Sequence, residues 1–159
     1  MPRRTNFKLP KGLKTWVENC KNELSEAAAR DIVIDLKIKG PYWSGEFEEN
    51  WVVRRGAAGV SAYKRPSFRS ATPMPRNISD VEIPAATGRK SITYSISNAM
   101  SYRDIALDLV PGRLNGKPNN AYADQPPQDW YEIYIRTEMQ DTIRKATDRT
   151  ARIMNRKAK

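Results

Sequence analysis

The spacing of apolar residues changes from helical to extended near residue 40. From Lys11 to about Ile38 the apolar side chains recur every three or four positions. The members of this stripe are Leu13, Trp16, Val17, Cys20, Leu24, Ala27 and Ala28. Such a stripe predicts one long amphipathic helix, in which Cys20 packs as a small hydrophobe. Gly40 and Pro41 then end the helix, because glycine can adopt the left-handed C′ conformation and proline has no N–H to donate.

A strand is predicted from Phe47 to Arg55, where apolar and polar residues alternate. Phe47, Trp51 and Val53 fall on one face, and Glu48 lies between them on the other. A large aromatic side chain buries roughly 150–250 Å², so the aromatic residues here are expected to anchor the core. The predicted core anchors are Trp43, Phe47, Trp51 and Trp130.

The segment 56–90 is predicted to form an extended loop or β-arm. It is rich in proline, and loops of this length are usually functional or disordered. Short strands are predicted at its two sides, at 60–63 and 78–83. Its large apolar residues are sparse, so we expect the arm to become ordered on a neighbouring subunit or another protein. The expected contact residues are Tyr63, Lys64, Arg65, Phe68, Arg69 and Arg76.

The clearest alternation in the chain runs from Arg89 to Ser97. Ile92, Tyr94 and Ile96 share one face, and small hydroxyl residues occupy the other, which predicts a second strand. A short helix is predicted over 101–110, followed by a second long loop over 111–127.

A C-terminal helix is predicted to begin after Asp129. Asp129 is the expected N-cap, and Glu132 three residues later completes a capping box. Apolar residues at helical spacing carry this helix to about Arg156. The predicted fold class is therefore α+β, with a small antiparallel sheet packed against a long N-terminal and a long C-terminal helix. Residues 1–159 are expected to form one domain, with a flexible N-terminal arm over 1–9.

The net charge of the chain says more about its partners than its length does. The 159 residues carry 28 Lys and Arg against 18 Asp and Glu, a net charge of +10. The excess is concentrated in 54–90, with eight basic and two acidic residues, and in 136–159, with eight and three. Such a balance favours polyanions or acidic protein surfaces as partners.

The cysteine count and the hydropathy of the sequence predict the compartment of the protein and whether a membrane is among its partners. Cys20 is the single cysteine, so no intrachain disulfide forms, which fits a reducing compartment. No apolar run approaches 18 residues, and no secretion signal is recognisable. We therefore expect no membrane partner.

The sequence offers little catalytic chemistry. It contains no histidine, which removes the commonest general base and most transition-metal sites. The phosphate-binding glycine motifs GxGxxG and GxxxxGK[ST] do not occur. Glu46, Glu48 and Glu49 form the dense acidic cluster; Glu46 and Glu48 would share a strand face and hold Mg²⁺ only with two further carboxylates. A solvated strand face accounts for them better, so we expect no catalytic, cofactor or metal site.

Two short motifs resemble the neck proteins of tailed bacteriophages. One is a proline followed by Ser-Gly and a strand that ends near tryptophan, matched by Pro41, Ser44, Gly45, Phe47 and Trp51. The other is Ile-x-Asn followed by tyrosine, a short apolar stretch and glycine, matched by Ile96, Asn98, Tyr102 and Gly112. An N-terminal alanine-rich helix and a C-terminal helix complete the resemblance, which spans roughly residues 15–155.

The resemblance implies a virion structural protein of the head–tail neck, of the tail-completion or tail-terminator type. Copies would form a ring, a hexamer or a dodecamer, between the connector on the portal side and the tail tube, and DNA would pass through its channel. The protein would be assembled in the host cytoplasm, without enzymatic activity or cofactor.

Two other functions remain open from the residues alone. The first is a basic nucleic-acid-binding protein, in which Tyr63 and Phe68 stack on bases. Its cationic residues would be Arg54, Arg55, Lys64, Arg65, Arg69, Arg89 and Lys90. The second is a small metal-dependent nuclease built from scattered Asp and Glu residues.

Overall fold

The structure, a computed structural model, describes residues 11–42, 46–56, 78, 81–86, 92–101, 126–127 and 129–157. Its elements in chain order are helices α1 (Lys11–Lys39) and α2 (Glu46–Glu49), strands β1 (Trp51–Arg55) and β2 (Tyr94–Asn98), helix α3 (Trp130–Ile133), a π-helical segment (Tyr134–Glu138) and helix α4 (Met139–Lys157). We call α3, the π-helical segment and α4 together the C-terminal helix. The predicted α+β class is confirmed: a long helix at each end and a two-stranded antiparallel sheet.

Helix α1 is the longest element, with 29 residues. Its buried face is formed by Ala29, Val33 and Leu36, which follow each other at spacings of four and three. None of the seven members of the predicted stripe is buried: Leu13, Trp16 and Val17 are exposed, and the other four are half-buried. Cys20, expected to be buried, is only half-buried.

Gly40 ends α1 for a different reason from the one predicted. Among the described glycines only Gly56 has a positive φ, so Gly40 does not adopt the left-handed conformation. A Cβ atom at Gly40 would lie 2.7 Å from the carbonyl oxygen of Leu36 and 3.1 Å from Cη2 of Trp130. The glycine is therefore required by the close approach of the Trp130 ring to the helix end.

The predicted first strand begins too early. Phe47 and Glu48 belong to the helical turn α2, and β1 starts only at Trp51. Asn98 explains the turn, because its side-chain amide donates to the Phe47 carbonyl at 2.7 Å and its oxygen accepts from the Met100 N–H at 3.0 Å. The prediction that Glu46 and Glu48 share a solvated strand face is also wrong, since both lie in α2 and Glu48 is 2% exposed.

Strands β1 and β2 pair antiparallel, with Trp51 opposite Asn98 and Val53 opposite Ile96. The second strand was predicted from Arg89 to Ser97. Residues 89–91 lie outside the described part, Ile92 and Thr93 are not in a strand, and β2 runs from Tyr94 to Asn98, one residue past the predicted end. Trp51 and Ile96 pack against both clusters of buried side chains. The sheet therefore joins the two halves of the core.

The start of the C-terminal helix corrects the predicted capping box. Asp129 has φ 60° and ψ 19° and makes no side-chain cap hydrogen bond, whereas a capping Asp adopts the extended region. The Trp130 N–H is instead donated to the Pro127 carbonyl at 3.2 Å. Glu132, the other half of the expected box, forms an ion pair with Arg136 one turn later, at 3.3 Å.

Helices α1 and α4 pack antiparallel. Going backward along α1, Lys39 contacts Glu138 at 2.6 Å, the Asp35 carboxylate contacts the Thr142 hydroxyl at 2.5 Å, and Asp31 contacts Arg149 at 2.8 Å. The facing side of α4 is made of Ala146, Thr150 and Met154, all buried. The register of this pairing determines which part of α1 and which part of α4 is covered by the other helix.

Part of the predicted arm packs on its own chain. Val81 and Ile83 lie against the cluster of Ala29, Val33 and Val53, and the Ala86 N–H donates to the Glu26 carboxylate. No strand is assigned within 81–86. The prediction that all of 56–90 orders only on a neighbour is therefore wrong for 81–86. Residues 57–77, 79–80 and 87–90 lie outside the described part, as do residues 1–9, nearly all of the short helix predicted at 101–110 and most of the 111–127 loop.

Replacing Gly40 by alanine should destabilise the fold by about 1–3 kcal/mol, because the added methyl overpacks the contact between Leu36 and Trp130. Gly12→Ala is the matched control in the same helix, since a Cβ there meets nothing within 4 Å. It should be neutral or stabilise by up to about 1 kcal/mol. Urea unfolding of both variants measures the difference, and equal stabilities would contradict the role given to Gly40.

Asn98→Ala should cost about 1–3 kcal/mol, because it leaves the Phe47 carbonyl and the Met100 N–H without this partner in a buried site. Ser97→Ala is its neighbour control. The Ser97 hydroxyl is buried without a hydrogen bond, so its removal should be neutral or mildly stabilising. Thermal and urea unfolding compare the two, and a neutral Asn98→Ala would show that α2 does not depend on this side chain.

Candidate functional site

One exposed apolar surface lies at the free end of α1. We call Leu13, Trp16 and Val17 the N-terminal patch; they are 43%, 42% and 48% exposed. Val17, Leu24 and Asp31 lie seven residues apart and therefore on one line of the helix, and Asp31 is the residue that contacts Arg149. The patch thus continues the face of α1 that packs against α4.

The patch is exposed because α4 is too short to cover it. The contact of Asp31 with Arg149 places Lys157, the last residue of α4, beside about residue 23 of α1. The first turns of α1 therefore extend about 18 Å beyond the end of α4, at 1.5 Å per residue. Large apolar side chains at such an overhang mark an interaction surface.

A second apolar surface lies at the opposite end of the helix pair. Ile38 and Ile133, which we call the junction patch, are 44% and 46% exposed. The contacts of Gly40 with Trp130 and of Lys39 with Glu138 bring their two helix ends together. Along α1, Ile38 lies about 33 Å from Trp16. The described part of the chain therefore presents apolar side chains at both ends of the helix pair.

The titratable groups between the helices are structural. The Tyr134 hydroxyl donates to Asp35 Oδ2 at 3.4 Å, and the Thr142 hydroxyl donates to the same oxygen. Burial raises the pKa of Tyr134 well above its usual value, and the negative charge of Asp35 adds to the shift. A phenol held neutral in this way links the two helices and has no acid–base role near neutral pH.

The surroundings of the Cys20 thiol do not favour its reaction as a nucleophile. Burial raises the pKa of its thiol, and the negative charge of Glu23 raises it further. Reactive cysteines have the opposite environment, with a lowered pKa and nearby positive charge.

A groove of about 660 Å³ lies between α1, β1 and the segment 81–84. Val33, Val53 and Ile83 line it, and Arg30 and Glu49 contribute charges of both signs. Within the described ranges, no group of three or more His, Cys, Asp and Glu residues is placed to hold a metal ion. The acidic cluster at 46–49 is divided, with Glu48 buried and Glu49 exposed.

The predicted site residues fall into three groups. Phe47 and Trp130 are buried in one cluster, and half-buried Trp51 packs against it. Arg54 and Arg55 are exposed at the end of β1. Outside the described residues lie Trp43, Tyr63, Lys64, Arg65, Phe68, Arg69, Arg76, Arg89 and Lys90, so the predicted contacts of the arm stay predictions.

Sequence reasoning missed a basic surface on α4. We call Lys145, Arg149, Arg152 and Arg156 the basic stripe; all four side chains are exposed. Their spacing of four, three and four residues places them on one face of the helix. That spacing is visible in the sequence, where the charge excess of 136–159 was recognised but its concentration on one face of the helix was not.

Comparison of the chain with protein-family models, curated proteins and solved structures finds no match. Among the described helices, none is both long and apolar enough to cross a membrane. Function is therefore inferred from the surfaces and motifs themselves.

Ionisation of Tyr134 should weaken the fold at alkaline pH. The folded pKa is raised above the usual value of 10.0, so this group's contribution is complete below about pH 10 and is lost as the pH rises further. Above that point the unfolding free energy of the wild type should fall more steeply than that of Tyr134→Phe, by up to about 1.4 kcal/mol per pH unit. Urea unfolding between pH 8 and about 11 tests this; parallel curves would contradict it.

Proposed function

We propose that this chain is a ring-forming structural subunit of the head–tail neck of a tailed bacteriophage, of the tail-completion or tail-terminator type. The observation that carries the proposal is the meeting of the two resemblance motifs in one structural unit. Ile96 and Asn98 of the second motif pair with Val53 and Trp51. The Asn98 side chain also binds the carbonyl of Phe47 in the first motif.

The two apolar patches support closed, head-to-tail association. An isologous dimer uses the same patch on both copies, whereas a ring needs two different and complementary surfaces on each copy. The N-terminal and junction patches are different surfaces at opposite ends of the helix pair. In the proposed ring, one patch of each subunit packs against the other patch of its neighbour.

The mechanism we propose is binding and positioning. Copies assemble around a channel, dock on the connector at the head side and present the opposite surface to the first ring of the tail tube. Because the sheet joins both halves of the core through Trp51 and Ile96, each subunit offers its patches at a fixed separation. The proposed location is the neck of the virion, after assembly in the host cytoplasm.

Variants in the two patches test head-to-tail association. The wild-type protein should give closed rings by native mass spectrometry and negative-stain electron microscopy. Trp16→Ser and Ile133→Ser should each abolish rings, since each removes one half of every contact. An equimolar mixture of the two variants should form heterodimers, because one intact contact remains between them. Ile78→Ser is the control, as Ile78 is exposed but belongs to neither patch.

The mixture of the two variants distinguishes the proposed ring from an isologous dimer. If the protein forms an isologous dimer through the N-terminal patch, Ile133→Ser will remain a homodimer and the mixture will contain no added species. That result, or a wild-type protein that stays monomeric at high concentration, would overturn the proposed ring. Loss of assembly in Ile78→Ser would assign the subunit contact to the arm at 56–90, in which Ile78 lies, and not to the two patches.

A further inference from the structure

The basic stripe on α4 forms a straight array of positive charge. Lys145, Arg149, Arg152 and Arg156 extend over about 16 Å of helix at 1.5 Å per residue. Their side chains stand beside the buried face of Ala146, Thr150 and Met154, on the flank where Arg149 reaches Asp31 of α1. The array is therefore held on a helix that is fixed to the core.

The fold neutralises little of this charge. Arg149 forms a two-point contact with Asp31, at 2.9 and 2.8 Å. Lys145, Arg152 and Arg156 form no ion pair with any residue in the described part of the chain. Arg152 and Arg156 lie one turn apart, where two like charges repel each other, and Asp148, the acidic residue beside them, forms no ion pair among the described residues.

The neighbouring basic residues of the same helix behave differently. Arg144 pairs with Asp141 at 2.9 Å, and Arg136 pairs with Glu132 at 3.3 Å. Both pairs are local, three or four residues apart, and they lie off the stripe. Among the described side chains of the C-terminal helix, the cations without an ion pair therefore lie along one line, with the carboxylate of Asp148 beside them.

We propose that the basic stripe binds the phosphate backbone of nucleic acid. Each strand of duplex DNA carries one negative charge per about 3.4 Å of the axis, so a stripe of this length spans about five phosphates of one strand. Three of the four cations are Arg, whose planar guanidinium binds phosphate oxygens in a two-point geometry. Contacts of this kind position the duplex without reading its sequence, so the binding is sequence-independent.

The geometry favours nucleic acid over a membrane surface. A helix that lies on a membrane inserts an apolar face beside its basic one. In α4 that apolar face is already buried against α1, and only Ile153 stands exposed beside the stripe. The proposal also does not depend on the ring, because a single subunit carries the whole stripe.

A salt titration of DNA binding tests the proposal with two variants of equal charge. The purified full chain is titrated into a fluorescein-labelled duplex at several salt concentrations, and anisotropy gives the affinity. Each phosphate contact contributes about 0.9 to the slope of log K against log salt. The double variant Arg152→Gln/Arg156→Gln should therefore reduce the magnitude of the slope by about 1.8.

Arg136→Gln/Arg144→Gln is the matched control. It removes the same two positive charges from the same C-terminal helix but leaves the stripe intact, so its slope should equal that of the wild type. Circular dichroism checks that both variants are folded. Because the readout is the affinity of subunits for DNA, its failure is distinct from a failure to form rings.

Three results would overturn the proposal. The first is absence of DNA binding at low salt. The second is an equal loss of slope in both double variants, which would assign the binding to net charge. The third is binding that depends on Arg152 and Arg156 for vesicles containing phosphatidylserine but not for DNA, which would assign the stripe to lipid.

Discussion

The contact between Gly40 and the Trp130 ring sets the geometry of the rest of the molecule. It fixes the end of α1 against the start of the C-terminal helix, and the ion pair of Lys39 with Glu138 continues the contact. The C-terminal helix has 28 residues, nearly as many as the 29 of α1, but the contact of Lys39 with Glu138 leaves its first eight residues beyond the end of α1. The exposed N-terminal patch is therefore a consequence of this register, in which α4 ends short of the first turns of α1.

The local pattern of apolar and polar residues predicted the fold class, because each main helix or strand shows the spacing typical of its own secondary structure. The helical spacing of apolar residues in α1 and the alternation around Tyr94 and Ile96 can be recognised without knowing which elements pack against them. The errors arose where a distant residue decides the local conformation. Phe47 alternates like a strand residue, yet it lies in a helical turn because Asn98, 51 residues away, binds its carbonyl. Asp129 has the composition of an N-cap, but its left-handed backbone rules out that role.

The candidate surfaces were harder to predict from the sequence than the fold was. An apolar stripe such as Leu13, Trp16 and Val17 has the same pattern whether its own chain or a partner covers it. Coverage depends on where α4 ends against α1, and that follows from pairings such as Asp31 with Arg149. Likewise, the charges of Arg144 and Arg152 look equivalent in the sequence, and only the ion pair with Asp141 distinguishes them. The contacts predicted for the arm at 63–76 lie outside the described residues.

The proposed subunit contacts and the proposed nucleic-acid contact use different parts of the helix pair. The apolar patches lie at its two ends, whereas the basic stripe runs along one side of α4. Contacts between neighbours through the ends would orient each helix pair along the circumference of a ring and leave the stripe uncovered. Ring closure would then repeat the stripe once per subunit around the circle. Each stripe would cross the axis of a duplex in the channel and contact only a few phosphates, and the copies would act together on that duplex. The two surfaces are compatible because the long helices separate them.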